Sequence, residues 1–182
     1  VPHKQVEHAI DAAVALQAEL PTLRLHVVGS GWWEAELAAY VEKVGAGDVV
    51  VLEGHVTEEH KHEVYERAWV LALPSLKEGW GLVIGEAGMH ATPAVAYRAA
   101  GGTQESIEDG HSGLLVDTQE EFTDALRRLL TDSELRRRLS SGALEVRHRF
   151  TWTQSQRSFA KVVSARLDGR ILQADDPGTT RA

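Results

Sequence analysis

Residues 69–97 read WVLALPSLKEGWGLVIGEAGMHATPAVAY, and the order of signals within them decides the fold class. Trp69 to Leu73 is a short apolar run of strand type, and Pro74-Ser75 stops it. A glycine-rich loop follows, Leu82 to His90 reads as helix, Pro93 breaks it, and Ala94-Val95-Ala96-Tyr97 is a second short strand. Strand, helix, strand is a βαβ unit, in which the strands run parallel and the helix crosses over one face.

The same alternation extends in both directions. Upstream, Ala9, Ile10, Ala13, Val14, Leu16 and Leu20 recur at helical spacing, Pro21 closes the helix, and Leu23 to Val28 is a strand. Gly29-Ser30-Gly31 then precedes a helix over Glu34–Val44 and a buried-type strand at Val49–Leu52. Thr57 is placed to cap a helix reaching about Arg67, with Glu58 and Glu59 in its first turn, where the helix dipole favours them. Downstream, a Gly101-Gly102 turn leads to a strand at Leu114–Val116 and to helices over Gln119–Leu130, Ser133–His148 and Trp152–Leu167. The pattern predicts an α/β fold: a Rossmann-like, doubly wound parallel sheet with helices on both faces. Such a domain normally begins with a strand, whereas this chain opens with a loop and a helix. Residues 1–167 are therefore expected to form a domain whose first strand lies outside the chain. Residues 168–182, rich in Gly, Asp and Thr, are expected to be a mobile tail.

Composition narrows the function. The 182 residues carry 19 Lys+Arg against 27 Asp+Glu, a net charge of −8, with no basic block, so a nucleic-acid partner is not expected. No apolar run approaches the roughly 20 residues of a spanning helix. With Cys 0 there is no thiol nucleophile or Cys-ligated zinc. Catalysis must use carboxylates, His, Lys, Arg, hydroxyls or backbone dipoles.

In an open parallel sheet, ligands bind beyond the carboxyl ends of the strands. Three loops there are unusual. Gly29-Ser30-Gly31 lets backbone N–H groups approach a phosphate, although Glu34 stands where a dinucleotide fingerprint needs its third glycine, and a plain turn serves equally well. The loop Glu78-Gly79-Trp80-Gly81 opens a helix whose free N–H groups near Gly81, Leu82 and Val83 form an anion site in outline. Glu86, one turn into that helix, leans back toward Glu78, so both carboxylates can face one pocket and accept hydrogen bonds from sugar or ribose hydroxyls. A dipole-stabilised Glu86 and a solvated Glu78 are the plainer alternatives. Gly101-Gly102 is read as a turn. His55, His60 and His62 lack metal-ligand spacing, and Trp32-Trp33 is read as packing.

The segment Glu78-Gly79-Trp80-Gly81-Leu82-Val83-Ile84-Gly85-Glu86, with seven residues between its glutamates, resembles the signature of retaining glycosyltransferases of the GT-B fold, family-4 type. Pro2-His3-Lys4, Val27-Val28-Gly29-Ser30-Gly31, Gly54-His55-Val56 with Lys61, Pro74-Ser75, Thr92-Pro93, Gly101-Gly102 and Asp109-Gly110 with Gly113 extend the resemblance over residues 1–167. It covers the C-terminal, nucleotide-sugar-binding half of such an enzyme.

The resemblance implies roles. Lys4 would bind the donor diphosphate, Glu86 the ribose hydroxyls, and Glu78 the sugar near the transfer centre; Glu78 and Lys4 are the catalytic candidates. Gly79, Trp80, Gly81, Leu82 and Val83 would form the diphosphate and ribose loop, Val56 would line the base pocket with Lys61 nearby, and Gly29 and Gly31 would leave room for the nucleotide. No metal or cofactor is expected besides the nucleoside-diphosphate sugar itself. The acceptor would come through an N-terminal domain outside this chain, leaving the chain alone inactive as a hexosyltransferase. The intact enzyme would work in the cytoplasm, at the membrane surface if its acceptor is a lipid. One departure is Ala91, which stands before Thr92-Pro93 where the family usually has glycine. The alternative reading is a non-catalytic nucleotide-binding or interaction module.

Overall fold

The computed structural model describes residues 1–149 and 152–167. They fall into two units, Val1–Arg147 and one beginning at His148. The tail expected from Asp168 lies outside the described residues. In the first unit, α1 (Val6–Gln17), β1 (Leu25–Val28), α2 (Glu34–Lys43), β2 (Val50–Gly54), α3 (Glu58–Arg67), β3 (Leu71–Leu73), α4 (Leu82–Met89) and β4 (Ala94–Tyr97) alternate as the sequence predicts. The short helix α5 (Thr103–Ser106), β5 (Gly113–Val116), α6 (Gln119–Thr131) and α7 (Ser133–Arg149) follow, and α8 (Trp152–Leu167) lies in the second unit. Helix starts obey local chemistry. Thr57 Oγ1 accepts the His60 N–H at 3.2 Å and Thr118 Oγ1 accepts the Glu121 N–H at 3.1 Å, each satisfying an amide with no partner inside its own helix.

Every strand pairing is parallel. β4 is the centre of a three-stranded ladder, with Leu71 opposite Ala94 and Ala94 opposite Gly113. Its residues alternate between two cores, as strand geometry requires. Val95 and Tyr97 pack with Leu16 of α1, Phe122 and Leu129 of α6 and Leu139 of α7, while Ala94 and Ala96 pack with Ile84 of α4 and with Ile107. All four β4 residues are buried, which is why this strand is continuously apolar in sequence. A third core joins Ile10 and Ala13 of α1 to Leu37 and Val41 of α2 over β1 and β2. Helices therefore cover both faces.

The sheet is not one ladder. Strands β1 and β2 pair with each other, β3, β4 and β5 pair separately, and no ladder joins β1 to β3 among the described residues. Instead, Leu25 and Val27 of β1 and Leu71 and Leu73 of β3 line one cavity of about 780 Å³. A β1 edge and a β3 edge thus present backbone groups that a sheet would normally pair.

Helix α4 ends in a Schellman turn: Thr92 N–H donates to Ala87 O at 3.0 Å and Ala91 N–H to Gly88 O at 3.1 Å. That closure needs a left-handed residue, and Ala91 adopts φ 55°. Glycine reaches this backbone without penalty, and Ala91 adopts it under strain.

Candidate functional site

The carboxyl ends of β1 and β3 open onto the polar end of the cavity. At β1 the register shifts between Val27 and Val28, and Gly29, at φ 116°, donates its N–H to Gly54 O at 2.8 Å. At β3 the chain turns through Pro74-Ser75, and Leu76 N–H donates to His3 O at 2.8 Å, pinning the turn Pro2–Lys4 beside this loop. That contact delivers Lys4 to Glu78. Nζ of Lys4 donates to Oε1 of Glu78 at 2.6 Å, with the Glu78 side chain only 9% exposed. Burial raises the Glu78 pKa, but hydrogen bonding and charge from Lys4, with the nearby Ser75 hydroxyl, outweigh it and hold the carboxyl below its usual range.

The backbone of Glu78 is clamped by the third glycine loop. Its N–H donates to Ala100 O at 2.7 Å and its carbonyl accepts from Gly102 N–H at 3.3 Å, forming a parallel bridge with Gly101. A Cβ on Gly102 would sit 1.8 Å from Gly79 O, so the loop read from sequence as a turn is also a close backbone contact.

Gly81, at φ 76°, opens α4 without a side-chain cap, leaving the Leu82 and Val83 amides without carbonyl partners one turn back in the helix. Four residues further on, Glu86 Oε2 lies 3.3 Å from Lys61 Nζ and accepts from Tyr65 Oη at 3.3 Å. Lys61 also pairs with Glu58 at 2.8 Å. The Glu58 hydrogen bond chiefly raises the Lys61 pKa, against partial burial, with Glu86 adding to it. Burial first, then the Glu86 charge, push the Tyr65 hydroxyl up.

Glu78 and Glu86 each meet a lysine, and Lys4 and Lys61 line the same cavity together with Gly29, Gly31 and Val83. Val56 is half-buried between β2 and α3; Leu82 is exposed at the α4 start, Gly79 is exposed, and Trp80 is half-buried. The three histidines diverge: His60 meets Glu53 and Glu63, His62 meets His90 at 2.8 Å, and His55 is exposed. Trp33 bonds Glu7 at 2.8 Å, while Trp32 is exposed. Two residues given no role from sequence stand at the site. Tyr65 is one, and only its tertiary contact to Glu86 marks it. Ser75 is the other: its Oγ is fully buried, without a hydrogen-bond partner among the described residues, on the cavity wall.

Residues 1–146 match the family model described as "Glycosyl transferases group 1". The chain is 35% identical over 173 residues to a D-inositol 3-phosphate glycosyltransferase of Nocardioides sp., a match covering 86% of this chain and 38% of that protein. It therefore spans well under half of that relative's length. Its fold superposes on a pneumococcal O-GlcNAc transferase, GtfA, solved with UDP and GlcNAc, with TM-score 0.80 and 22% identity, covering 92% of this chain and 34% of that one. It also matches the C-terminal domain of a group 1 family glycosyl transferase, LpcC, from Francisella tularensis, with TM-score 0.69 and 23% identity, covering 80% of this chain and 78% of that one. A match over residues 1–146, joined to parallel sheets with helices on both faces, makes the chain a member of the group 1 glycosyl transferases.

Proposed function

We propose that this chain is the donor-binding half of a retaining glycosyltransferase that moves a sugar from a nucleoside diphosphate to an acceptor hydroxyl. The observation that carries this reading is the convergence of Lys4 and Glu78 beside an uncapped helix N-terminus at the carboxyl ends of parallel strands. A diphosphate leaving group needs fixed positive charge, which the Lys4 ammonium and the α4 amides supply. Glu78 orients the sugar through its hydroxyls. Glu86, in contact with Lys61, takes the ribose hydroxyls as a hydrogen-bond acceptor. In this scheme Glu78 orients the sugar without bonding to it covalently, and the sugar keeps its configuration by a same-face departure and attack.

We also propose that a strand preceding Val1 in the longer polypeptide lies between β1 and β3. The cavity that these two unpaired strands share supports this. An N-terminal domain attached through that strand would present the acceptor.

Thermal unfolding with UDP, GDP, ADP and their sugar conjugates tests the donor site. A ligand at about 100 times its Kd stabilises by roughly 2.7 kcal/mol, and each kcal/mol moves Tm by about 2–4 °C at this size. A base-selective rise in Tm that Glu86→Ala abolishes is the expected result. No rise with any nucleotide, in this chain and in one extended to include the upstream strand, refutes the reading.

A further inference from the structure

Resting on the donor-site reading, we propose that Tyr65 is a positioning residue for Glu86: its phenol pins one carboxylate oxygen so that the other is presented to the donor ribose, which makes the site selective for ribose over deoxyribose. Both side-chain contacts of Glu86 fall on Oε2, from Tyr65 Oη and from Lys61 Nζ, each at 3.3 Å, and Oε1 has no partner among the described residues. A carboxylate with one oxygen clamped and the other uncommitted offers a vicinal diol an acceptor of fixed orientation.

Lys61 and Tyr65 stand one turn apart on α3 and so share a face, but they are not equivalent. Lys61 has a long flexible stem and a nearer partner, Glu58, at 2.8 Å, so its hold on Glu86 is divided. Tyr65 has a rigid ring with a single polar atom, and that atom is spent on Glu86. The ring is itself held: it stacks on His90 with centroids 6.0 Å apart and planes 18° apart, and His90 Nε2 lies 2.8 Å from His62 Nδ1. Its backbone is held too, because Thr92 Oγ1 donates to Tyr65 O at 3.0 Å. Packing does not account for this placement. Tyr97 sits in a core against Phe122, whereas Tyr65 belongs to none of the three cores and lines the cavity with Lys61 and Thr92.

The test measures ribose selectivity. Affinities for UDP, GDP and ADP and for their 2′,3′-dideoxy counterparts are determined in the longer polypeptide and in its Tyr65→Phe variant, which keeps the ring and its stack. For the base that binds, the ratio of ribose to dideoxyribose affinity is expected to fall about tenfold, the effect of one hydrogen bond to a charged group, with the dideoxy affinity nearly unchanged. A merely structural role would lower both affinities together and leave the ratio alone. In a Glu86→Ala background, Tyr65→Phe should have no further effect on the ratio. A ratio that Tyr65→Phe leaves unchanged, or lowers equally with and without Glu86, overturns the proposal while the donor reading stands. If Tyr65→Phe fails to fold, His90→Ala, which removes the stack and leaves the hydroxyl, is read in the same way: a lowered ratio is expected, and an unchanged one overturns the proposal. A wild type that binds no nucleotide, or binds both sugar forms equally, removes the ribose role of Glu86, and that of Tyr65 with it.

Discussion

Lys4 and Glu78 are 74 residues apart in the chain and 2.6 Å apart in the fold. The pair ties the N-terminal turn to the loop after β3, and it makes stability depend on pH. The folded-state pKa of Glu78 is depressed, because Lys4 and Ser75 outweigh the opposing effect of burial. A depressed carboxyl stabilises the fold fully above its unfolded value, about 4.3, and that contribution is lost as pH falls through the lower folded value. Lys4 is 39% exposed, so solvent screening limits the pair to about 0.5–1 kcal/mol. Glu78→Gln should lower Tm at pH 7, and the gap to the wild type should close as pH falls below the ordinary carboxylate range. A gap of constant size across that range would refute the linkage.

Ala91 closes the Schellman turn at φ 55°. Removing its Cβ relieves left-handed strain at a position where glycine is the natural cap. Ala91→Gly should stabilise the protein by about 1 kcal/mol. Urea unfolding with an unchanged m-value checks it, and a loss of stability would contradict the strain assignment.

Gly102 and Gly79 make a matched pair. A Cβ on Gly102 would meet Gly79 O at 1.8 Å, whereas one on Gly79 meets nothing within 4 Å. Gly102→Ala should cost about 1–3 kcal/mol, because backbone must move. It should also weaken nucleotide-sugar binding by displacing Glu78. Gly79→Ala should stay within about 0.5 kcal/mol of the wild type. Equal effects in chemical denaturation would show that the loop yields without cost.

Asp11 on α1 accepts from Tyr40 Oη at 2.6 Å and from Gln119 Nε2 at 2.9 Å, joining α1 to α2 and α6. The Asp11 hydrogen bond, then burial and the charges of Asp11 and Glu7, push the Tyr40 hydroxyl up to about 12. Tyr65 and Tyr97 are raised as well, chiefly by burial. Absorbance at alkaline pH should therefore show little tyrosinate near pH 10, and Asp11→Asn should bring one tyrosine back toward that value. Ordinary titration of all three tyrosines in the folded wild type would disprove these environments.

The order of elements was legible from residues 1–167 because its causes are local. Period-2 and period-3.6 patterns, the Thr57 cap and the breaks at Pro21, Pro74 and Pro93 act within a few residues of chain. Boundaries moved by a few residues, as at β3, where the expected Trp69–Leu73 shortens to Leu71–Leu73, since ladder hydrogen bonds rather than hydropathy end a strand. The resemblance around Glu78 and Glu86 brought Lys4, Lys61 and the α4 loop to notice as candidates.

The rest required the third dimension. Which amine meets which carboxylate depends on the His3–Leu76 contact that carries Lys4 across the fold, and no spacing between residues 4 and 78 encodes it. Ser75 and Thr103 are ordinary hydroxyl residues in sequence; burial leaves one unpartnered and pairs the other. Gly101-Gly102 reads as a turn until its backbone is found against Glu78 and Gly79. The division of the sheet was equally hidden, because a strand's propensity is a property of its own residues while its pairing depends on what lies beside it. Sequence determined the elements through local sterics and hydrogen bonding; tertiary structure alone determined the partners, because desolvation and distance act between residues that are neighbours only once the chain has folded.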